Sequence, residues 1–233
     1  MVVKIELTTN LRLIINKQMM KINKMKNQKS IKQAGFTLIE LVVVVVILGL
    51  LAVTAIPKFV DLTEQAKDAN IQGLAGGFAT GVSLTRAQWE AEARPKTGAF
   101  NATNYDGTLL FLTTPVDVNG TIRSGYPVGT VSTNAASADM TAETCIQVWN
   151  SILSQPPTIT SNLAVLNGAN SPQYFVITQA DAGAATNDIC VYFLKESLTK
   201  DANGDYVAPT NDDVGNNFTY DPANSAVVIK INK

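Results

Sequence analysis

The feature that most constrains this chain is an uninterrupted apolar run in its first quarter. Residues 41–56 read LVVVVVILGLLAVTAI, carry no charge and have Thr54 as their only hydroxyl. A helix over residues 36–60 would be about 37 Å long, enough to cross a bilayer core of roughly 30 Å. Glu40 is the one acidic residue in this segment, and a carboxylate in lipid is costly unless it has a partner. The sequence therefore predicts a membrane-spanning helix with a functional acid near its start.

The residues just before the apolar run form a recognisable motif. Gly35-Phe36-Thr37-Leu38-Ile39-Glu40 leads directly into the run, and Lys29 and Lys32 lie just upstream. An ordinary secretory signal is cleaved after its apolar segment, which is thereby removed from the mature protein. Here the motif precedes the apolar segment, and in this arrangement it resembles the class III signal of type IV prepilins.

This resemblance implies a processing route and a role for the acid. In type IV prepilins a prepilin peptidase cuts after the glycine, here Gly35, and the new terminal residue, here Phe36, is N-methylated. The apolar helix then stays on the mature protein, and Glu40 pairs with the amino terminus of a neighbouring subunit. Pairing reduces the cost of two isolated charges in an apolar medium, so it would set the register between subunits. The alternative is that Glu40 is an acid at the membrane edge without such a role.

The net charge of −1 hides a strong asymmetry along the chain. Residues 1–35 carry eight Lys/Arg and one Glu, a balance of +7, whereas residues 36–233 carry ten Lys/Arg and eighteen Asp/Glu, a balance of −8. By the positive-inside rule, the basic leader stays cytoplasmic and the rest lies beyond the inner membrane. The acidic remainder argues against nucleic acid as a partner. Because the leader is unusually long, we expect the true start at Met19, Met20 or Met25, with a long natural leader as the alternative.

The helix is predicted to continue past the apolar run, to about residue 93. A helical stripe recurs in its second half, at Leu74, Phe78, Val82, Thr85 and Trp89. Gly49 and Pro57 are expected weak points, because glycine adds backbone entropy and proline removes a hydrogen bond. The glycines between residues 73 and 81 fit either a closely packed helix face or a loosened helix. The predicted divisions are a leader (1–35), an apolar half-helix (36–60), an amphipathic half-helix (61–93) and a globular head (94–233).

The head is predicted to be a small α+β unit. A helical stripe favours a short helix over residues 141–154, and strands are predicted over 174–179, 189–195, 218–220 and 226–231, the last two joined around Asp221-Pro222. Asn119-Gly120, after short apolar runs at 109–112 and 116–118, is a strong hairpin signal. The fold class is therefore α+β, with a long N-terminal helix packed against a small antiparallel β-sheet.

Two cysteines, Cys145 and Cys190, lie in the head. If the head is exported, a disulfide between them is the expected state, and two unpaired buried thiols are the alternative. The bridge would join the short helix to the strand over residues 189–195. Two cysteines without any histidine make a zinc site improbable.

Neither a catalytic site nor a cofactor is predicted. The chain lacks histidine, the usual base of nucleophilic catalysis, and has no phosphate-binding glycine loop. One weak calcium candidate is formed by Asp201, Asn203, Asp205 and Asp212, but its glycine falls at the fourth position instead of the sixth. A simple Asp-x-Asn-Gly turn is the favoured interpretation. We therefore expect no enzyme and no required metal.

The narrower resemblance is to mannose-sensitive haemagglutinin (MSHA) type pilins, through the cysteine placement, the segment Tyr126-Pro127-Val128-Gly129 and the closing hairpin. It implies a subunit that is held in the inner membrane and then assembled with identical subunits, by inner-membrane machinery, into an extracellular filament that attaches to host or abiotic surfaces. A type II secretion pseudopilin or a minor pilin is the first alternative. Major pseudopilins commonly carry calcium in place of the head disulfide, so the cysteines favour a pilin. A monomeric membrane-anchored binding module is the second alternative.

Overall fold

The computed structural model describes Lys17 and residues 36–114, 121–181 and 187–232. The predicted leader, apart from Lys17, and the predicted Asn119-Gly120 hairpin lie outside these residues. The chain divides into two units, Met1–Ala55 and Ile56–Lys233, and each is described by itself.

Helix α1 (Leu38–Ala91) begins in the first unit and ends in the second. In the first unit its described residues are almost entirely apolar, and all but the half-buried Ala55 are exposed. It is the one helix, among those described, that is long and apolar enough to cross a membrane. The predicted end is confirmed to within two residues, because Ala93 and Arg94 adopt positive φ angles of 62° and 59° just before Pro95. That backbone conformation cannot continue an α-helix.

Within the second unit, one face of α1 forms part of the core. The predicted stripe is confirmed, with Leu74 only half-buried; the fully buried helix residues are Ile71, Ala75, Phe78, Gly81, Val82, Thr85 and Trp89. Their spacing of three and four residues places them on one side of the helix. The second half of α1 is therefore a core helix of the α+β unit.

The first sheet has four antiparallel strands in chain order. These are β1 (Lys96–Thr97), β2 (Phe100–Tyr105), β3 (Thr108–Leu112) and β4 (Pro127–Gly129). A two-residue turn joins β2 to β3, with Tyr105 opposite Thr108. Asp106 and Gly107 have φ angles of 49° and 82°, as a type I′ hairpin turn requires. This Asp-Gly hairpin was not predicted, although it carries the same kind of signal as Asn119-Gly120.

The second sheet has five strands, also in chain order. These are β5 (Ile159–Thr160), β6 (Tyr174–Ala180), β7 (Asp188–Leu194), β8 (Asn217–Asp221) and β9 (Ala226–Lys230). The last four match the predicted strands to within one or two residues at each end, including the β8–β9 hairpin. The prediction of a single antiparallel sheet was incomplete, because two sheets are present and β5 pairs with β6 in parallel.

Short helices connect and cover the sheets. Helix α2 (Ala142–Ile152) agrees with the predicted head helix and begins with a Thr141–Thr144 capping box; α3 (Leu163–Leu166) is a single turn. Two 3-10 turns lie at Ser132–Asn134 and Lys195–Ser197. Phe78 of α1 contacts an aromatic cluster from α2, β7 and β8, formed by Trp149, Tyr192, Phe218 and Tyr220. This cluster joins the helix layer to the second sheet.

Candidate assembly site

The first turn of α1 is closed by a capping box. The backbone N–H and the hydroxyl of Thr37 both donate to Glu40 Oε2 at 2.9 Å, and the Glu40 N–H donates to Thr37 Oγ1 at 3.3 Å. This is the reciprocal pattern of an N-cap threonine with a glutamate three residues later. Glu40 is therefore held at the helix N-terminus, where the helix dipole favours a negative charge.

Sequence analysis missed the role of Thr37. The signature Thr-x-x-Glu ahead of an apolar run is itself a capping-box signal, and Thr37-Leu38-Ile39-Glu40 matches it. Among the described residues, Glu40 Oε1 makes no hydrogen bond or ion pair, since both Thr37 bonds go to Oε2. One carboxylate oxygen thus completes the helix cap, and the other is available to a further group.

The surface behind the capping box is a continuous apolar cylinder. Phe36 is 84% exposed, and Val42 is the least exposed large aliphatic residue of the run at 44%. Burying apolar surface is worth roughly 25 cal/mol per Å², so a surface of this kind needs lipid or another protein around it. The geometry fits a segment that is surrounded either by membrane or by other helices.

The two predicted weak points lie within a continuous helix. No heavy atom from outside the local helix backbone comes within 4 Å of the position that a Cβ on Gly49 would take. Pro57 lies in the helix interior, where it leaves one carbonyl without its usual N–H partner. Reduced helix stability at both positions remains a prediction.

The predicted disulfide is present in the second unit. Cys145 of α2 and Cys190 of β7 are bonded, with their Cα atoms 5.7 Å apart, and both are fully buried. The Tyr192 hydroxyl donates to the Cys145 carbonyl at 2.9 Å, and burial raises the pKa of Tyr192 well above its usual value. The disulfide therefore attaches α2 to β7, the central strand of the second sheet.

The weak calcium candidate is split between two places. Asp201 Oδ1 accepts the N–H groups of Asn203 and Asp205 at 2.8 and 3.0 Å, which forms the favoured turn, and the Asp205 bond lowers the pKa of Asp201. Asp212 instead pairs with Lys230 at 2.6 Å. Among the described residues, no group of three or more His, Cys, Asp or Glu side chains is placed to hold a metal ion.

Comparison with known proteins finds similarity over part of the chain. Residues 31–56 match the family described as "Prokaryotic N-terminal methylation motif". The chain is 46% identical to the "Type IV narrow pilus major component PilA5" of Thermus thermophilus over 54 residues, which are 23% of this chain and 47% of that protein. It is 43% identical to a "Fimbrial protein" of Moraxella nonliquefaciens over 54 residues, 23% of this chain and 35% of that one.

A third relative matches over a longer segment. A "Fimbrial protein" of Neisseria meningitidis is 35% identical over 81 residues, which are 34% of this chain and 47% of that protein. The matches thus span less than half the length of each relative. No solved structure matches the chain. The relatives are named as structural components and not as enzymes. Residues 31–56 carry the prokaryotic N-terminal methylation motif, and over part of its length the chain is similar to a type IV pilus component and to fimbrial proteins.

Proposed function

We propose that this chain is a structural subunit of a type IV pilus that polymerises through the apolar half of α1. The observation that carries the proposal is the capped, exposed apolar helix that coincides with the methylation motif at residues 31–56. Before assembly, lipid would cover this surface; in the filament, the same segments of neighbouring subunits would cover it. The same apolar surface would hold the subunit in the membrane before assembly and would contact neighbouring subunits in the filament.

Processing would precede assembly. The prepilin peptidase would cut between Gly35 and Phe36, and the exposed Phe36 would become the N-methylated first residue. The basic leader would remain on the cytoplasmic side and the head would be periplasmic. The inner-membrane assembly machinery would then transfer the subunit from the membrane into an extracellular pilus.

Glu40 would pair with the terminal amine of Phe36 in a neighbouring subunit. The capping box supports this assignment because it fixes the carboxylate through Oε2 alone. Oε1 could then accept the amine without breaking the helix cap. A subunit in the wrong register would leave a charge unpaired in an apolar environment, which costs several kcal/mol.

The finer assignment is an MSHA-like pilus that attaches cells to host or abiotic surfaces. It is supported by the Cys145–Cys190 disulfide, by the Tyr126–Gly129 segment and by the β8–β9 hairpin. The Tyr220 hydroxyl of β8 donates to the Pro127 carbonyl of β4 at 2.8 Å, so this segment is tied to the closing hairpin. The head disulfide also favours a pilin over a type II secretion pseudopilin.

The proposal is tested by replacing the acid at the capping box. We expect Glu40→Ala to leave membrane insertion intact and to abolish or strongly weaken filament formation, because the charge that sets the register is lost. The matched control is Glu143→Ala, which removes an exposed acid from the first turn of α2. Filament yield is measured in sheared surface material against membrane-fraction yield. Normal filaments from Glu40→Ala would contradict the pairing.

A further inference from the structure

Residues 61–70 of α1, which all lie in the second unit, carry two polar faces. The first face consists of the residues Thr63, Ala66, Lys67 and Asn70. The second face consists of the residues Asp61, Glu64, Gln65 and Asp68. Both sets repeat at i, i+3, i+4 and i+7, and at about 100° per residue their mean directions differ by about 160°. The two faces therefore lie on nearly opposite sides of the helix.

The first face borders a cleft with a positive balance, which we call the basic cleft. Its volume is about 310 Å³, and β6 and the residues at the end of β7 close its other side. Lys67 and Lys195 line it with a single acid, Glu196. Lys195 Nζ lies 3.3 Å from Ser171 Oγ, and this lysine makes no ion pair among the described residues. Because Lys67 pairs with Glu64 of the second face, Lys195 is the lysine of this cleft that is left for a further partner.

The second face borders a cleft of opposite sign, which we call the acidic groove. Its volume is about 370 Å³; three carboxylates line it, from Asp61, Glu64 and Asp68, together with the amides of Gln65, Asn216 and Asn232. No lysine or arginine is among these lining residues. Asn216 Nδ2 donates to Asp68 Oδ1 at 2.7 Å, so one carboxylate is held in place. Asp61 is exposed and makes no ion pair among the described residues.

The charges within one copy satisfy each other only in part. Lys67 Nζ pairs with Glu64 Oε1 at 2.9 Å, across from the first face to the second. The side chain of Lys67 is 20% exposed and that of Glu64 is 59% exposed, and ion pairs that remain open to solvent contribute little to stability. Glu64, the more exposed partner, can therefore exchange to a new partner at little cost when a second surface approaches.

We propose that the surface around the basic cleft of one copy of this chain packs against the surface around the acidic groove of the next copy. Because the two surfaces differ and lie on opposite sides of the helix, the contact is heterologous, and a heterologous contact that does not close produces a helical filament. A partner of a single charge sign would satisfy only one of the two surfaces, whereas identical copies on either side satisfy both. The inference rests on the proposed function, to which it adds a second inter-subunit contact outside the apolar helix.

Cross-linking tests this contact directly. We expect filaments of the double variant Asp61→Cys with Lys195→Cys to give a ladder of oligomers on a non-reducing gel, and either single variant to give none. The matched control is Lys96→Cys with Glu143→Cys, which places cysteines at two exposed positions that line neither surface. Filaments without a ladder would overturn the inference. So would a dimer from Asp61→Cys alone, which indicates a two-fold contact, or a cross-link to a different protein.

Charge reversal provides an independent readout. Asp61→Lys and Lys195→Glu are each expected to lower filament yield about tenfold through like-charge contacts, and the combined variant is expected to recover most of the yield. The matched control reversals are Glu143→Lys and Lys96→Glu, at exposed positions that line neither surface, and they should not change the yield. Reversals without effect, or a double variant no better than the singles, would contradict the contact. Absence of filaments from the unmodified chain would instead overturn the proposed function.

Discussion

Both halves of helix α1 are helical, but they differ in the burial of their apolar side chains. In the apolar half, Ile47 and Leu51 are 51% and 59% exposed, whereas in the second half Ile71 and Phe78 are fully buried. One face of the second half is covered by the sheets and α2 of its own chain. The first half has an unbroken apolar surface that nothing described in its own unit covers.

This difference separates the residues that stabilise the fold of their own chain from those that contact other molecules. Substitutions in the second half should change the free energy of unfolding of the second unit. Substitutions in the apolar half should leave that free energy unchanged and should affect membrane insertion or assembly instead. Substitutions in each half, at the disulfide and at a surface ion pair test this separation.

The largest effect is expected for Phe78→Ala. The Phe78 ring lies 5.2–5.3 Å from the rings of Tyr192, Phe218 and Tyr220, so truncation leaves a cavity and should cost about 3–5 kcal/mol. The matched control is Ile47→Ala in the apolar half. Denaturant unfolding of the detergent-solubilised chain, followed by tryptophan fluorescence, measures both variants. An equal loss of unfolding free energy from Ile47→Ala would contradict the difference between the two halves.

The disulfide should rank second. Replacing Cys145 and Cys190 together by serine is expected to lower the free energy of unfolding by about 2–4 kcal/mol, because the unfolded chain gains freedom. Unfolding with and without a reducing agent measures the effect. The reducing agent should destabilise the unmodified chain by a similar amount and should leave the double variant unchanged. A stability of the unmodified chain that does not depend on the reducing agent would contradict the prediction.

Two helix glycines give a sharper test within the second half. A Cβ on Gly81 would lie 2.7 Å from the Ile152 carbonyl oxygen of α2, whereas a Cβ on Gly77 would meet nothing within 4 Å. We expect Gly81→Ala to destabilise the unit by about 1–3 kcal/mol through forced separation of the two helices. Gly77→Ala should stabilise it by up to about 1 kcal/mol through helix propensity. Thermal unfolding measures the stability of both variants. Equal changes in stability would contradict the close contact between α1 and α2 at Gly81.

The smallest effect concerns a surface ion pair. The hydrogen bond from Lys230 to Asp212 raises the pKa of Lys230 above 10.5. Its stabilising contribution is therefore present below pH 10.5 and is lost as pH rises through the higher folded pKa. Because the Lys230 side chain is 37% exposed, Lys230→Met should cost only about 0.5–1 kcal/mol at pH 7.

The control for the ion pair is Lys96→Met, which removes an exposed lysine of β1. Chemical denaturation at several pH values should show the difference between the unmodified chain and Lys230→Met shrinking above pH 10.5. A difference that stays constant up to the highest pH, or an equal cost for Lys96→Met, would show that the ion pair is not its cause.

Sequence analysis succeeded where a physical pattern is local. The helical stripe that ends at Trp89 follows from hydrophobic periodicity, and the β8–β9 hairpin follows from strand and turn signals. The Cys145–Cys190 disulfide follows from the oxidising compartment expected for an exported head. Two short-range signals were present but overlooked, the Thr37–Glu40 capping box and the Asp106-Gly107 turn.

Other features depend on contacts that the sequence does not reveal. Strands β1 and β5 contain two residues each, too few to show an alternating pattern, so tertiary pairing alone defines them. Asp212 resembles the last residue of a calcium loop, yet it pairs with Lys230, eighteen positions along the chain. Only the folded arrangement distinguishes a metal ligand from an ion-pair partner.

The proposed pilin function is tested by the intact mass and N-terminal sequence of the chain recovered from sheared surface material. We expect a polypeptide that begins with N-methylated Phe36 and is two hydrogens lighter than its reduced form, because Cys145 and Cys190 are bonded. This result would establish processing, export and the disulfide together. An uncleaved chain confined to the membrane fraction would overturn the proposed function and would indicate an anchored module instead.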